Sequence, residues 1–376
     1  MRRVVIAGRW DGARPFLPTG VALGEIGQGI LAGCADAEPA ILPFGAGPTF
    51  DEAVAASRSQ ASFVRVPTDV ASTREAGERV AMVLGEPRIV VEGGHNASPD
   101  CGLGFLAGLL GVADSEVSGD ALPTALARAE ELVAASGTDL VCAASTPRPL
   151  LGLDSVLAVG PDLNPIEEQD TALTGLLTQA FAHRPLGRRQ LIERSVGHPA
   201  RGYGSGAGGG VGAIIAASGG RIVPTGVLLD DLLILDKALE SADLVIVAEP
   251  ELASPLLATS TLDSLTKAAG AHALPVVGCT VRSSLSHVER AEWGLHGVFE
   301  TEARVALREA GRRIARTWLR SARIPPLARG AARGVLCQAH TSIQHDKEHH
   351  VRVSNSGSHP RGHPHRRRCR EGEEPP

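Results

Sequence analysis

The chain has 376 residues, of which 43% are hydrophobic, 21% charged and 3% aromatic, with a formal net charge of −5. This length suits two or three domains of ordinary soluble composition. The charge balance gives no general electrostatic drive toward nucleic acid or an anionic membrane, and so few aromatic rings argue against recognition by base stacking.

The apolar run 2–8 predicts a first strand, so the start, MRRVVIAG, reads as a strand and not as a signal peptide. A helix over 21–32, a strand at 40–43, a short helix over 50–57 and a strand at 62–66 follow. The next helix, over 72–84, has Ser72 or Thr73 as its cap. A strand at 87–91 runs into the turn-rich stretch 92–100, and a helix is expected over 102–110. An amphipathic helix over 121–135 precedes a strand at 139–143. Prolines and glycines interrupt 145–165, a helix is expected over 165–182, and the basic stretch 183–203 reads as an exposed connection. The glycine-dense block 204–220, GSGAGGGVGAIIAASGG, comes next. Beyond it lie a strand at 221–223, a leucine-rich helix around 230–240, a strand at 244–248, a helix over 255–270, strands at 274–279 and 297–300, and a closing helix over 301–320. Repeated strand–helix units with near-continuous apolar strands predict an α/β fold of mostly parallel sheets flanked by helices. No apolar run reaches the roughly 18 residues of a membrane-spanning helix. The six cysteines form no CxxC pair, which fits a reducing, cytoplasmic setting.

In a parallel α/β sheet, ligands bind beyond the carboxyl ends of the strands. Three loops take that position. One carries Gly93, Gly94, Asp100, Gly102 and Gly104. The second is the block containing Gly206, Gly208, Gly209 and Gly210. The third holds Glu249 and Glu251, directly after the strand at 244–248. A glycine turn feeding a helix start makes an anion site, but the same glycines serve equally in a tight turn or a close helix–sheet contact. Asp100 reads as a Mg²⁺ ligand or as a cap on the following helix, and Glu249 as a metal-orienting carboxylate or a loop residue. Among the scattered histidines, His95 is notable because it lies in the first glycine loop. There is no P-loop, no Gly-x-Ser-x-Gly elbow and no His-Glu-x-x-His helix.

Gly206-Ala-Gly-Gly-Gly-Val-Gly-Ala213, followed by Ser241-Ala-Asp-Leu-Val-Ile-Val-Ala-Glu249 and Leu274-Pro-Val-Val-Gly278, resembles the C-terminal half of the glycerate kinase family. Arg88-Ile-Val-Val-Glu-Gly-Gly94 through Asp100-Cys-Gly-Leu-Gly104, then Pro149-Leu-Leu-Gly152 and Gly160-Pro161, resemble earlier segments of that family in the same order. The likeness spans about 2–322. It implies a two-lobed protein with a Rossmann-like α/β lobe from 1–60 and 205–322, a second α/β lobe from 61–204, and a His- and Arg-rich tail, expected to be disordered, over 323–376. It also implies ATP- and Mg²⁺-dependent phosphorylation of D-glycerate or a similar small hydroxy acid. Asp100 and Glu249 would be the catalytic residues, Asp100 would hold Mg²⁺, and Gly93, Gly94, Gly102, Gly206, Gly208, Gly209 and Gly210 would cradle phosphates.

Several charged positions depart from the family pattern. Where the family has Asp-Ser-Phe-Lys, this chain reads Gly8-Arg-Trp-Asp-Gly12, and the acidic loop after the second strand has become Phe44-Gly-Ala-Gly-Pro-Thr49. Arg148 and Leu163 stand for an asparagine and a lysine. Arg9, Asp11, Arg148 and Glu251 lie near the lost positions as substitutes. The alternative reading is a catalytically impaired paralogue that binds a nucleotide or an acid.

Overall fold

The first strand, β1 (Arg2–Gly8), has its last five residues buried, and the four before Gly8 alternate between two cores. Val4 and Ile6 enter one apolar cluster, Val5 and Ala7 another. A strand covered by helices on both faces has no wet side, which is why its sequence is continuously apolar. The computed structural model describes residues 1–67, 71–94, 98–160, 164, 166, 170–182, 198–253, 261–301 and 307–319.

After β1 come α1 (Thr19–Gly33), β2 (Ala37–Pro43), α2 (Pro48–Ala56), β3 (Ser62–Val66), α3 (Arg74–Met82) and β4 (Arg88–Gly93). The chain continues through α4 (Leu103–Leu110), α5 (Leu122–Ser136), β5 (Asp139–Ala144), α6 (Thr171–Ala182), α7 (Val211–Ala217) and β6 (Arg221–Pro224). Next are α8 (Thr225–Leu233), α9 (Leu235–Leu239), β7 (Leu244–Ala248), β8 (Glu251–Leu252), α10 (Leu262–Ala271) and β9 (Val276–Thr280). The last described elements are β10 (Arg282–Ser283), α11 (His287–Glu292), β11 (Gly297–Glu300) and α12 (Leu307–Trp318).

One sheet has the strand order β11-β9-β7-β1-β2, a second has β3-β4-β5-β6, and β8 pairs with β10. Every pairing is parallel; Ile6, for instance, lies between Ile41 and Ile246. The fold is therefore α/β with parallel sheets flanked by helices. A shared cluster joins the sheets: Val245 and Val247 from the first, Val90 and Val141 from the second, with Phe50 of α2, Leu229 of α8 and Leu265 of α10. Ile26 of α1 and Ile314 of α12 pack on the other side of the first sheet. Phe105, Leu126, Phe181 and Ile214, from α4 to α7, cover the other side of the second.

The leucine-rich helix expected around 230–240 is two helices. Ile234 adopts φ 52°, in the left-handed region, and this ends α8 and redirects the chain. Leu229 and Leu235 then both reach the shared cluster. The strand β6 pairs with β5, Val141 opposite Arg221, so it belongs with the second sheet although the expected division at residue 205 put it with the first. The two-residue strands β8 and β10 are too short to show a periodicity. Among the described residues, no helix is long and apolar enough to cross a membrane. The expected tail, 323–376, lies outside the described residues, as does the first part of the helix expected over 255–270.

Asp139 opens β5 and fastens the amino-terminal edge of the second sheet. Its carboxylate accepts from Arg88 Nε at 2.9 Å and from Arg221 Nε and Nη2 at 3.0 and 2.9 Å. The Arg221 hydrogen bonds, with Arg88 adding to them, hold its pKa below the ordinary value. A lowered carboxylate pKa stabilises the fold above the unfolded-state value, and the benefit is lost as pH falls through the folded value. Asp139→Asn should lower stability by about 1–2 kcal/mol at neutral pH, with the gap to wild type closing below about pH 4, measured by urea denaturation across pH.

Candidate functional site

At the carboxyl end of the first sheet, β1 and β7 run so close that a Cβ on Gly8 would collide with the backbone of Ala248. Arg9 N–H donates to the Ala248 carbonyl at 2.9 Å, which fixes where the Arg9 side chain departs. Its Nε donates to Glu249 Oε2 at 2.9 Å. Glu249 is only 1% exposed, whereas the Arg9 side chain is 37% exposed. Burial pushes the Glu249 carboxyl up against the opposing pull of Arg9, while Glu249 raises the Arg9 guanidinium still further. The second carboxylate oxygen, Oε1, is buried and has no hydrogen-bond partner among the described residues.

A polar cluster continues from this pair. Asp11 Oδ2 accepts from Thr49 Oγ1 at 2.5 Å and Thr49 N–H at 3.3 Å, and the Thr19 and Thr49 hydroxyls lie 2.6 Å apart. Pro18, at the start of α1, has no side-chain acceptor. Glu52 of α2 supplies it instead, accepting from Thr19 N–H at 2.9 Å and Gly20 N–H at 2.6 Å. A carboxylate at the positive end of a helix is favourable.

At the carboxyl end of the second sheet, the two glycine loops pack on each other. Gly208 N–H donates to the Gly94 carbonyl at 3.0 Å. A Cβ on Gly93 would lie 2.5 Å from Gly208 N, and one on Gly102 would lie 2.8 Å from the carbonyl carbon of Gly210. Gly209 meets Ser98, Gly210 meets Cys101, and Gly206 meets Val156 equally closely. All seven glycines expected to cradle phosphates are buried. In this arrangement they serve the close-packing role that the sequence left open beside the anion site, and residues 98–102 cover the entry to α7.

Asp100 sits within that contact with both oxygens engaged. Oδ2 accepts from Ser72 Oγ at 2.9 Å and Thr73 N–H at 2.6 Å; Oδ1 accepts from Ser98 Oγ at 2.9 Å and Gly102 N–H at 3.0 Å. The Thr73 hydroxyl reaches both, at 3.2 and 3.1 Å, while accepting from Phe105 N–H at 2.8 Å. Thr73 occupies the expected cap position of α3, but its hydroxyl serves Asp100 and α4 instead. Asp100 thus ties the starts of α3 and α4 together. These donors use the lone pairs that a Mg²⁺ ion would need, so the carboxylate as placed does not fit a metal ligand. Among the described residues, no three His, Cys, Asp or Glu side chains gather to hold a metal.

The substitutes considered for lost charges are differently employed. Arg148 donates to the carbonyls of Asp154, Ser155, Val159 and Gly160, which makes it a clamp on its own loop. Glu251 pairs with Arg282 at 2.5 Å across β8 and β10. Leu163 and His95 lie outside the described residues. Cys101, Cys142 and Cys279 are free and buried, and burial raises their thiol pKa values to about 12, which leaves them unreactive at neutral pH.

The sequence reading passed over Glu92. It stands on β4 before Gly93, is 1% exposed, and accepts the Gly47 N–H at 3.1 Å. Gly47 precedes α2, so this bond links the carboxyl ends of the two sheets. The available signal was the one that picked out Glu249: an acid at the end of an apolar strand. Burial raises the Glu92 pKa to about 7, only partly offset by the Gly47 hydrogen bond and Arg65.

Two parallel sheets flanked by helices, with carboxylates and glycine turns at their carboxyl ends, place the chain among the α/β proteins. A sequence model of the glycerate kinase family matches residues 59–323, and the chain belongs to that family. A crystal structure from Salmonella typhimurium LT2, provisionally designated glycerate kinase 2, is similar with a TM-score of 0.57 at 20% identity. The match covers 84% of this chain and 98% of that one, and it shows the shared fold. No curated protein matches the chain by sequence. Arg9, Asp11, Thr19, Thr49 and Glu52 precede the segment the family model matches.

Two substitutions test this description. Gly102 has φ 81°, and an added Cβ has no room; Gly102→Ala should cost about 2 kcal/mol or more in urea denaturation. For Glu92, the folded state holds a proton between about pH 4.5 and 7 that the unfolded state has released, so stability falls as pH rises through that window. Glu92→Gln should remove a loss on the order of 3 kcal/mol, seen as a flatter stability profile between about pH 5 and 8.

Proposed function

We propose that the protein is a phosphotransferase that moves the γ-phosphate of ATP to D-glycerate or a similar small hydroxy acid in the cytoplasm. Membership of the glycerate kinase family supports the reaction class. The observation that carries the reading is the Arg9–Glu249 pair at the carboxyl ends of β1 and β7, with the Glu92–Gly47 bond reaching from there to the second sheet. Phosphoryl transfer depends on positioning the acceptor, and the carboxyl ends of the strands are where an α/β sheet presents ligands. Mg²⁺ would arrive as the ATP complex and supply charge neutralisation on the phosphates. Glu249 would orient the acceptor, and the Gly93–Gly94 and Gly206–Gly210 turns would border the nucleotide, with Asp100 holding the starts of α3 and α4 in place beside them.

A second reading, a paralogue that binds a nucleotide or an acid without turnover, is favoured by the saturation of Asp100 and by the burial of the glycines. An ADP-release assay with D-glycerate and ATP–Mg²⁺ separates the two. The kinase reading expects acid-dependent ADP release that falls at least about 100-fold in Glu249→Gln. No release at high protein concentration, with nucleotide-dependent thermal stabilisation retained, would establish the binding reading instead.

A further inference from the structure

We propose that Arg9 is the carboxylate receptor of this protein, gripping the acid group of a small hydroxy acid with the outer Nη edge of its guanidinium. The proposal rests on the reading of the site as an acid-binding crevice, and it names the group that does the binding.

Several observations converge on Arg9. Its Nε is taken by Glu249, which is 1% exposed and therefore a fixed support. Among the described residues, neither Nη atom has a hydrogen-bond or ion-pair partner, and the side chain is 37% exposed. The guanidinium is thus held through Nε, with both Nη atoms of this partly exposed side chain left without a partner among the described residues. The stem is bedded as well: a Cβ on Gly45 would lie 2.8 Å from Arg9 Cβ and 3.3 Å from Cδ, so the loop between β2 and α2 leaves room for this side chain. Beside it, Glu249 Oε1 is buried with no hydrogen-bond partner among the described residues.

The local charge selects the ligand. Glu249 neutralises Arg9 directly, and Asp11 adds a second negative charge nearby. A polyanionic triphosphate meets net repulsion there, whereas a monoanionic carboxylate gains a bidentate pair with less opposition. A guanidinium can spend Nε on Glu249 and still offer two parallel donors. A lysine's three donors share one nitrogen, so it cannot bond Glu249 and also present two parallel donors to a carboxylate.

Titration calorimetry of the full chain, without nucleotide, tests this with D-glycerate, D-lactate and glycolate, with glycerol as the carboxylate-free control and inorganic phosphate as the competing anion. Wild type should bind at least one of the acids and not glycerol, and Arg9→Lys should weaken that binding at least about tenfold while circular dichroism and thermal midpoint stay close to wild type. Arg9→Ala leaves Glu249 unpaired and can fail to fold, so the double variant Arg9→Met, Glu249→Gln serves as the second loss-of-binding variant. Equal acid affinity in wild type and Arg9→Lys, no binding of any acid by wild type, or Arg9-dependent binding of phosphate alone would each overturn the proposal. Because no ATP is present, acid binding that depends on Arg9 stands even if ADP release is never detected, and failure of the phosphotransferase reading is thereby distinguishable from failure of this one.

Discussion

Taking a carboxylate out of water costs several kcal/mol unless donors replace the lost hydration. This chain meets that cost at three points along the carboxyl ends of its strands, and each is answered differently. Glu249 has a guanidinium. Asp100 has backbone and hydroxyl donors from two helix starts and its own loop. Glu92 has the Gly47 N–H, with Arg65 contributing only through space, and its pKa rises accordingly to about 7. The layout of the site follows from those answers: Glu249 holds Arg9 in place, Asp100 binds α3 to α4, and Glu92 joins the two sheets.

The glycines and the carboxylates depend on each other. The two glycine loops approach at backbone distance only because no side chains intervene, and the loop that Gly209 and Gly210 pack against, 98–102, is the one whose Ser98 and Gly102 donate to Asp100. A methyl group at Gly102 would separate the loops and withdraw a donor from Asp100 together. Backbone contact and charge satisfaction are therefore one structural unit at the second sheet. At the first sheet the same division of labour recurs on a smaller scale, where Gly8 and Gly45 make room and Arg9 and Glu249 carry the charge.

Much of the framework was legible beforehand. β1, β4, β5 and β7 were visible as apolar runs because burial on both faces leaves no polar positions to blur them. The order of glycine loops and strand ends pointed to the family. What was not legible were events of packing. The break at Ile234 has no glycine or proline to announce it, and β8 and β10 are too short to carry a period. Arg148 looked like a replacement for a ligand-binding residue, yet four carbonyls of its own loop hold it, and nothing in its neighbourhood in sequence says so.

The sequence by itself determined the parallel α/β class, the loops that follow the strand ends and the residue types available there, because periodicity and strand ends are local properties. Only the tertiary structure decided which of those residues are free to act. Whether a glycine faces a phosphate or another backbone, and whether a carboxylate is open or already satisfied, depends on what lies across from it. Gly208 meets Gly94 more than a hundred residues away in the chain, and Arg9 meets Glu249 at a separation of 240. Such partners are set by how two sheets pack on a shared core, which no local pattern encodes.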